Sequence, residues 1–196
     1  MTKYILTFIF LILISANQAF SQSVEAQVGK IREIYAATNK RIADGLKDDT
    51  QGFHYAVWRI GGKGDALRWS AVGVMETIDE IWFDGGDEGG AETEEDARAG
   101  IYKIVSTYKG ASVLHSRVEY YFDEAGKLVF ILASDDANSE SGKLVERRFY
   151  YAADKLIRVT SGGKNTDKNF AAADLEKSDD ESGIARESRK RYVEML

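Results

Sequence analysis

A chain of 196 residues is long enough for one ordinary domain with a core of its own. Its 26 Lys and Arg against 32 Asp and Glu give a net charge of −6, which argues against duplex nucleic acid as a partner, because phosphate binding rests on clustered basic side chains. The chain has no cysteine, so disulfides, thiol catalysis and lipid attachment through an N-terminal cysteine are excluded; it has no proline either, which leaves the turns to Gly, Asp, Asn and Ser.

Residues 1–21 read as a secretory signal peptide. Lys3 supplies a short positive region, 4–14 is an apolar run too short to cross a bilayer, and Ala19 and Ser21 are the small residues a signal peptidase reads. An N-terminal membrane anchor is the competing reading. After cleavage the chain starts near Gln22 with 25 basic against 32 acidic residues, and 22–196 forms a single domain, exported to the periplasm or the extracellular space and not an integral membrane protein.

Over 24–44 the residues Val24, Val28, Ile31, Tyr35, Thr38 and Ile42 recur at alternating intervals of four and three, the stripe of an amphipathic helix, with Ser23 as N-cap and Gly45 as stop. The opposite face, with Glu25, Lys30, Glu33, Lys40 and Arg41, reads as solvated. Three strands rich in aromatic and β-branched residues follow, at 52–60, 67–75 and 77–83, and they carry Trp58, Trp69 and Trp82. Residues 84–96, all glycine, acid, alanine and threonine, read as a flexible acidic loop. Calcium is the functional alternative there, although the loop lacks the alternating ligand positions of an EF-hand. Further strands are expected at 101–108 and 113–122.

Two β-hairpins occupy 117–160. In the first, Asp123-Glu124-Ala125-Gly126 forms the turn, with Gly126 in the left-handed region, and Phe122 faces Leu128, Tyr120 faces Phe130 and Val118 faces Leu132. A second copy lies 28 residues on. The same turn there would set Arg148 opposite Arg158, an unfavourable pair unless an anion lies between them. A two-residue turn at Ala153-Asp154 would shift the register and remove the clash. Residues 161–169 read as a loop, 170–177 as a short helix, and Ser178-Asp179-Asp180-Glu181 as a capping box opening a last helix. The class is therefore α+β: a meandering antiparallel sheet of about seven or eight strands, with an N-terminal amphipathic helix and a C-terminal helix packed on it.

Chemistry is sparse in this pattern. His54 and His115 stand in separate strands without local partners, Gly110-Ala111-Ser112 lacks the second glycine of a nucleophile elbow, and the Gly-Gly-Lys turns at 61 and 162 lack the rest of a phosphate loop. No catalytic residue, metal ligand or cofactor is assigned. The best-placed binding residues are Arg147, Arg148 and Arg158, as an anion clamp, and Trp58, Trp69 and Trp82, as an aromatic surface.

The run Phe122-Asp123-Glu124-Ala125-Gly126-Lys127-Leu128 resembles a single YD-type hairpin repeat of long secreted shell proteins. The second copy departs from it at Tyr151 and Asp154. The layout of leader, helix, two hairpins and charged terminal helix is similar to small secreted bacterial proteins with no assigned activity, a resemblance that implies no site residues. The functional expectation is an exported non-enzymatic domain binding an envelope protein, a glycan or a small ligand. A cell-envelope hydrolase using acids and a histidine, and a lipid or apolar-ligand carrier, are the alternatives.

Overall fold

Side chains alternate across a strand, so a strand apolar at every position needs cover on both faces. The central hairpin approaches that character over Tyr120–Phe122 and Leu128–Ile131, and the computed structural model shows what covers it. The structure describes residues 2–48, 50, 52–61, 76–85, 100–109, 116–135 and 144–196, with side chains from residue 24 onward. Among these, eight strands form one antiparallel sheet in chain order. They are β1 (His54–Gly61), β2 (Glu76–Asp84), β3 (Gly100–Lys109), β4 (Ser116–Phe122), β5 (Leu128–Asp135), β6 (Val145–Ala152), β7 (Lys155–Ser161) and β8 (Lys164–Thr166). Helix α1 (Thr2–Gly45) covers one face and α2 (Ala172–Val193) the other. The fold class is the expected one.

The division between faces falls inside β4. Tyr120 and Phe122 join Ile104, Ile131, Phe149 and Tyr151 under Ala185 and Tyr192 of α2. Tyr121, between them, turns the other way and joins Phe130 and Tyr150 under Val24, Val28 and Ile31 of α1. The α1 stripe is buried at Val24, Val28, Ile31 and Thr38. Tyr35 is more exposed, yet its ring still packs 5.0 Å from Tyr121 and 5.5 Å from Phe130. Among the residues whose side chains are described, no helix is long and apolar enough to cross a membrane.

Both hairpins differ in register from the sequence reading, for one reason. Gly126 (φ 71°) makes the expected turn, the Lys127 amide donates to Asp123 Oδ1 at 2.8 Å, and Phe122 faces Leu128. Behind that pair Val129 bulges out, so Tyr121, not Tyr120, faces Phe130, and Val118 faces Ala133. The second hairpin uses the two-residue turn, with Ala153 (φ 49°) and Asp154 (φ 61°) both left-handed, as a type I′ turn requires. Tyr151 then faces Leu156, Ile157 takes the bulge, and Arg158 faces Tyr150. Arg148 faces Thr160, so the two arginines are never opposed.

β1 pairs directly with β2, and the strand expected at 67–75 lies outside the described residues, as does most of the acidic loop. Two more differences concern the C-terminal part of the chain. Lys164–Thr166, read as loop, adds an edge strand to β7 after the Gly162-Gly163 turn. The two C-terminal helices are one, α2, because Ser178 and Glu181 have partners on the sheet in place of capping. Ser178 Oγ lies 2.7 Å from the Tyr151 hydroxyl, and Tyr120 donates to Glu181 Oε2 at 2.6 Å, both beneath the middle of the helix. Lys177 closes this set on Glu181 (2.9 Å) and Asp135 (3.2 Å).

These bonds predict coupling. Ser178→Ala and Tyr151→Phe should each cost about 1 kcal/mol in urea unfolding, with the double variant losing clearly less than the sum, because either change alone already removes the bond between the two hydroxyls. Additive losses would mean that the hydroxyl pair does not anchor α2.

Candidate functional site

Helix α1 is tied to the sheet by charge at three points. Near its middle, Glu25 Oε2 accepts from Arg158 at 2.6 Å, and Arg158 is also held in two bonds by Asp167, on the segment after β8. At its end, Arg41 makes two bonds to Asp84 at the end of β2, one of them 2.9 Å, and a third to the Gly52 carbonyl at 3.2 Å. Between them Asn39 reaches a buried ion pair: Lys103 Nζ donates to Asn39 Oδ1 and lies equally close, 2.8 Å, to Glu119 Oε2.

That pair is almost closed to solvent, Lys103 being 6% and Glu119 7% exposed. Tyr121 donates to Glu119 at 2.6 Å, Arg117 bonds the other carboxylate oxygen, and the rings of Tyr121 and Trp82 lie 4.8 and 5.4 Å from the ammonium. Burial by itself would push the Glu119 carboxyl up, but the bonds from Lys103, Tyr121 and Arg117 outweigh it and hold it below the ordinary carboxylate range. Burial pulls Lys103 down, against the pull of Glu119, and raises Tyr121. Such a cluster fixes geometry. A carboxylate held low and fully bonded is not a general acid.

Beside the network, where α1 reaches the end of the sheet, the packing opens into a recess of about 520 Å³. Ile34, Ala37 and Thr38 of α1 form one wall, Phe53 and Tyr102 a second, and Phe122 with the turn residues Asp123, Glu124 and Ala125 the third. Local structure sets each wall. Tyr102 leaves the regular ladder at the irregularity between β2 and β3, where Trp82 faces Lys103 and Phe83 faces Ile101, and its ring meets Phe53 at 5.0 Å. Arg41 stacks 4.0 Å over Phe53 while bonded to Asp84, so the aromatic wall is braced from behind. Burial, reinforced by Asp84, raises the Tyr102 phenol and keeps it a neutral donor.

The residues expected to bind are dispersed. Arg148 pairs with Glu146 at 2.7 Å, Arg147 approaches Asp174 of α2 at 3.6 Å, and Arg158 holds Glu25 and Asp167. Each guanidinium already has a carboxylate, and Arg147 lies on the face opposite the other two. Trp82 is half-buried on the α1 face, 5.3 Å from Tyr55, whereas Trp58 is 39% exposed on the α2 face opposite Asp79. Trp69 and His115 lie outside the described residues. His54 is exposed on β1, its ring 5.5 Å from Phe83.

Sequence reasoning passed over the residues that frame the recess and the network. Lys103 offered a signal, a lone cation inside the apolar run Ile101-Tyr102-Lys103-Ile104-Val105. Arg41 offered none, because its position on the polar side of the helical stripe looks solvated until Asp84 arrives from the sheet. No family model matches the chain, and neither a curated protein nor a solved structure matches it.

Removing one partner of the buried pair should be costly. Lys103→Met leaves the buried Glu119 charge with only the half-exposed Arg117 as a counter-charge and is expected to lose about 3 kcal/mol, most of it recovered in Lys103→Met/Glu119→Leu. The stability due to Glu119 is fully present above the ordinary carboxylate value of 4.5 and is lost as pH falls through its depressed folded value. Urea midpoints measured between pH 6 and pH 3 should therefore drop more steeply in the parent than in Glu119→Gln; parallel curves would place the acid sensitivity elsewhere.

Proposed function

We propose that this chain is an exported, non-enzymatic binding domain that takes a small ligand into the recess at the end of α1. The observation that carries the reading is the recess itself. It has the size of small-molecule sites, about 300–1,000 Å³, an apolar lining and a few fixed polar groups. Export rests on the leader-like segment 1–21. A hydrolase would need an acid or base poised in a cleft, and what the geometry offers is different: His54 is exposed, and the displaced carboxyls Glu119 and Asp167 are held low. The apolar-ligand carrier shares the recess with this reading. Under the 24–34 stretch of α1, however, the space is filled by Val28, Ile31, Tyr121, Phe130 and Tyr150, so the ligand of this domain is small.

Native mass spectrometry of the protein purified from its own envelope tests the proposal. The expected result is extra mass that disappears on unfolding and is absent from Ala37→Trp, a change at an exposed helix position that fills the recess. A clean apo mass for the parent, or an adduct that survives in the variant, would contradict ligand binding at this place.

A further inference from the structure

The charges around the recess define what it accepts. Among the described residues, Arg41, Asp123 and Glu124 line it and Asp84 stands against Arg41. Arg41 is spent, since two bonds to Asp84, one to the Gly52 carbonyl and the ring of Phe53 occupy its guanidinium. An anion could be bound only by displacing that bidentate carboxylate. Asp123 uses Oδ1 to hold its own turn through the Lys127 amide, and Arg189 of α2 lies behind the turn, against Gly126 and Phe122, where it offsets part of the Asp123 charge. Glu124 is the group left over. It sits exposed at the turn apex, lines the recess, and has no ion-pair partner among the described residues.

We infer that the recess selects an apolar or aromatic body that carries an ammonium group, with the body against Phe53, Tyr102 and Ile34 and the ammonium at Glu124 and the free oxygen of Asp123. This inference rests on the recess being a ligand site. The complementarity is of two kinds at once. The floor removes apolar surface from water, and among the described residues lining the recess the charge without an ion-pair partner is negative and stands at the mouth, where an ammonium keeps part of its hydration and a carboxylate would meet like charge. Alkyl and arylalkyl amines, and the amino terminus of a peptide that begins with an apolar residue, share this chemistry.

The test uses three probes of one shape, 4-phenylbutylamine, 4-phenylbutanol and 4-phenylbutyrate, titrated into the full protein at low ionic strength while the ring resonances of Phe53 and Tyr102 are followed by NMR. The amine should bind about tenfold more tightly than the alcohol, equivalent to about 1.4 kcal/mol. The carboxylate should bind weakest, and the preference should shrink when salt is raised. Glu124→Gln, on an exposed turn, should bring the amine close to the alcohol without changing the alcohol. Equal affinity for all three probes, a carboxylate that binds best, or an amine preference untouched by Glu124→Gln would overturn the inference and leave the recess standing as a site. If none of the probes moves the Phe53 and Tyr102 rings, the recess is not a ligand site and both readings fall.

Discussion

The burial of β4 and β5 on both faces is the constraint from which the rest of the molecule follows. Tyr120, Tyr121 and Phe122 are successive residues with almost no exposed surface, and alternation sends the middle one to the opposite side of the sheet from its neighbours. An antiparallel meander with one wet face cannot satisfy that run. One helix is therefore needed on each side, and the chain supplies them from its two ends, α1 against Tyr121, Phe130 and Tyr150, α2 against Tyr120, Phe122 and Phe149. Fully burying a large side chain is worth about 1.5–3 kcal/mol, so the central hairpin commits both helices more strongly than any of the surface ion pairs could.

The two helix interfaces solve their polar problem differently. Under α2 the sheet presents tyrosines, whose rings fill the core while their hydroxyls find Glu181, Ser178 and, for Tyr192 of the helix itself, Asp79. Under α1 the groups are charged, with Arg158, Lys103 and Asp84 each meeting a residue of the helix. Each contact leaves a sheet charge less well paired if α1 shifts, and the buried Lys103 would lose its bond to Asn39, so the three together penalise any other placement of α1 along the sheet. The recess is a consequence of the same placement. The helix continues to the strand ends, where the β4–β5 turn and the irregularity before Phe83 leave walls but no filling.

Much of the architecture was legible in the sequence because it follows from periodicity: the α1 stripe, the sequential strands, the Asp123–Gly126 turn and the α+β class. What was not legible depends on partners far away in the chain. A single bulge residue reverses the facing of everything behind it, and Val129 looks like any other strand valine. The second hairpin aligns with the first only once its turn is taken as one residue shorter, which places Arg158 opposite Tyr150; only a turn as long as the first would set it opposite Arg148 as a clamp. Ser178-x-x-Glu181 has the composition of a capping box, and nothing local distinguishes it from two residues recruited by sheet tyrosines. The tryptophans stood out as large and aromatic, but composition carries no information about which face each would take.

Native-state hydrogen exchange of the chain from Gln22 onward tests the two-sided core most directly. If β4 and β5 hold both helices, amides of β4, β5, the 28–38 stretch of α1 and the 178–192 stretch of α2 should exchange with one common opening free energy, that of global unfolding. Exchange of the α1 stretch at a much lower free energy, with β4 and β5 still protected, would contradict the account, because the Tyr121 face would then be stable without its helix.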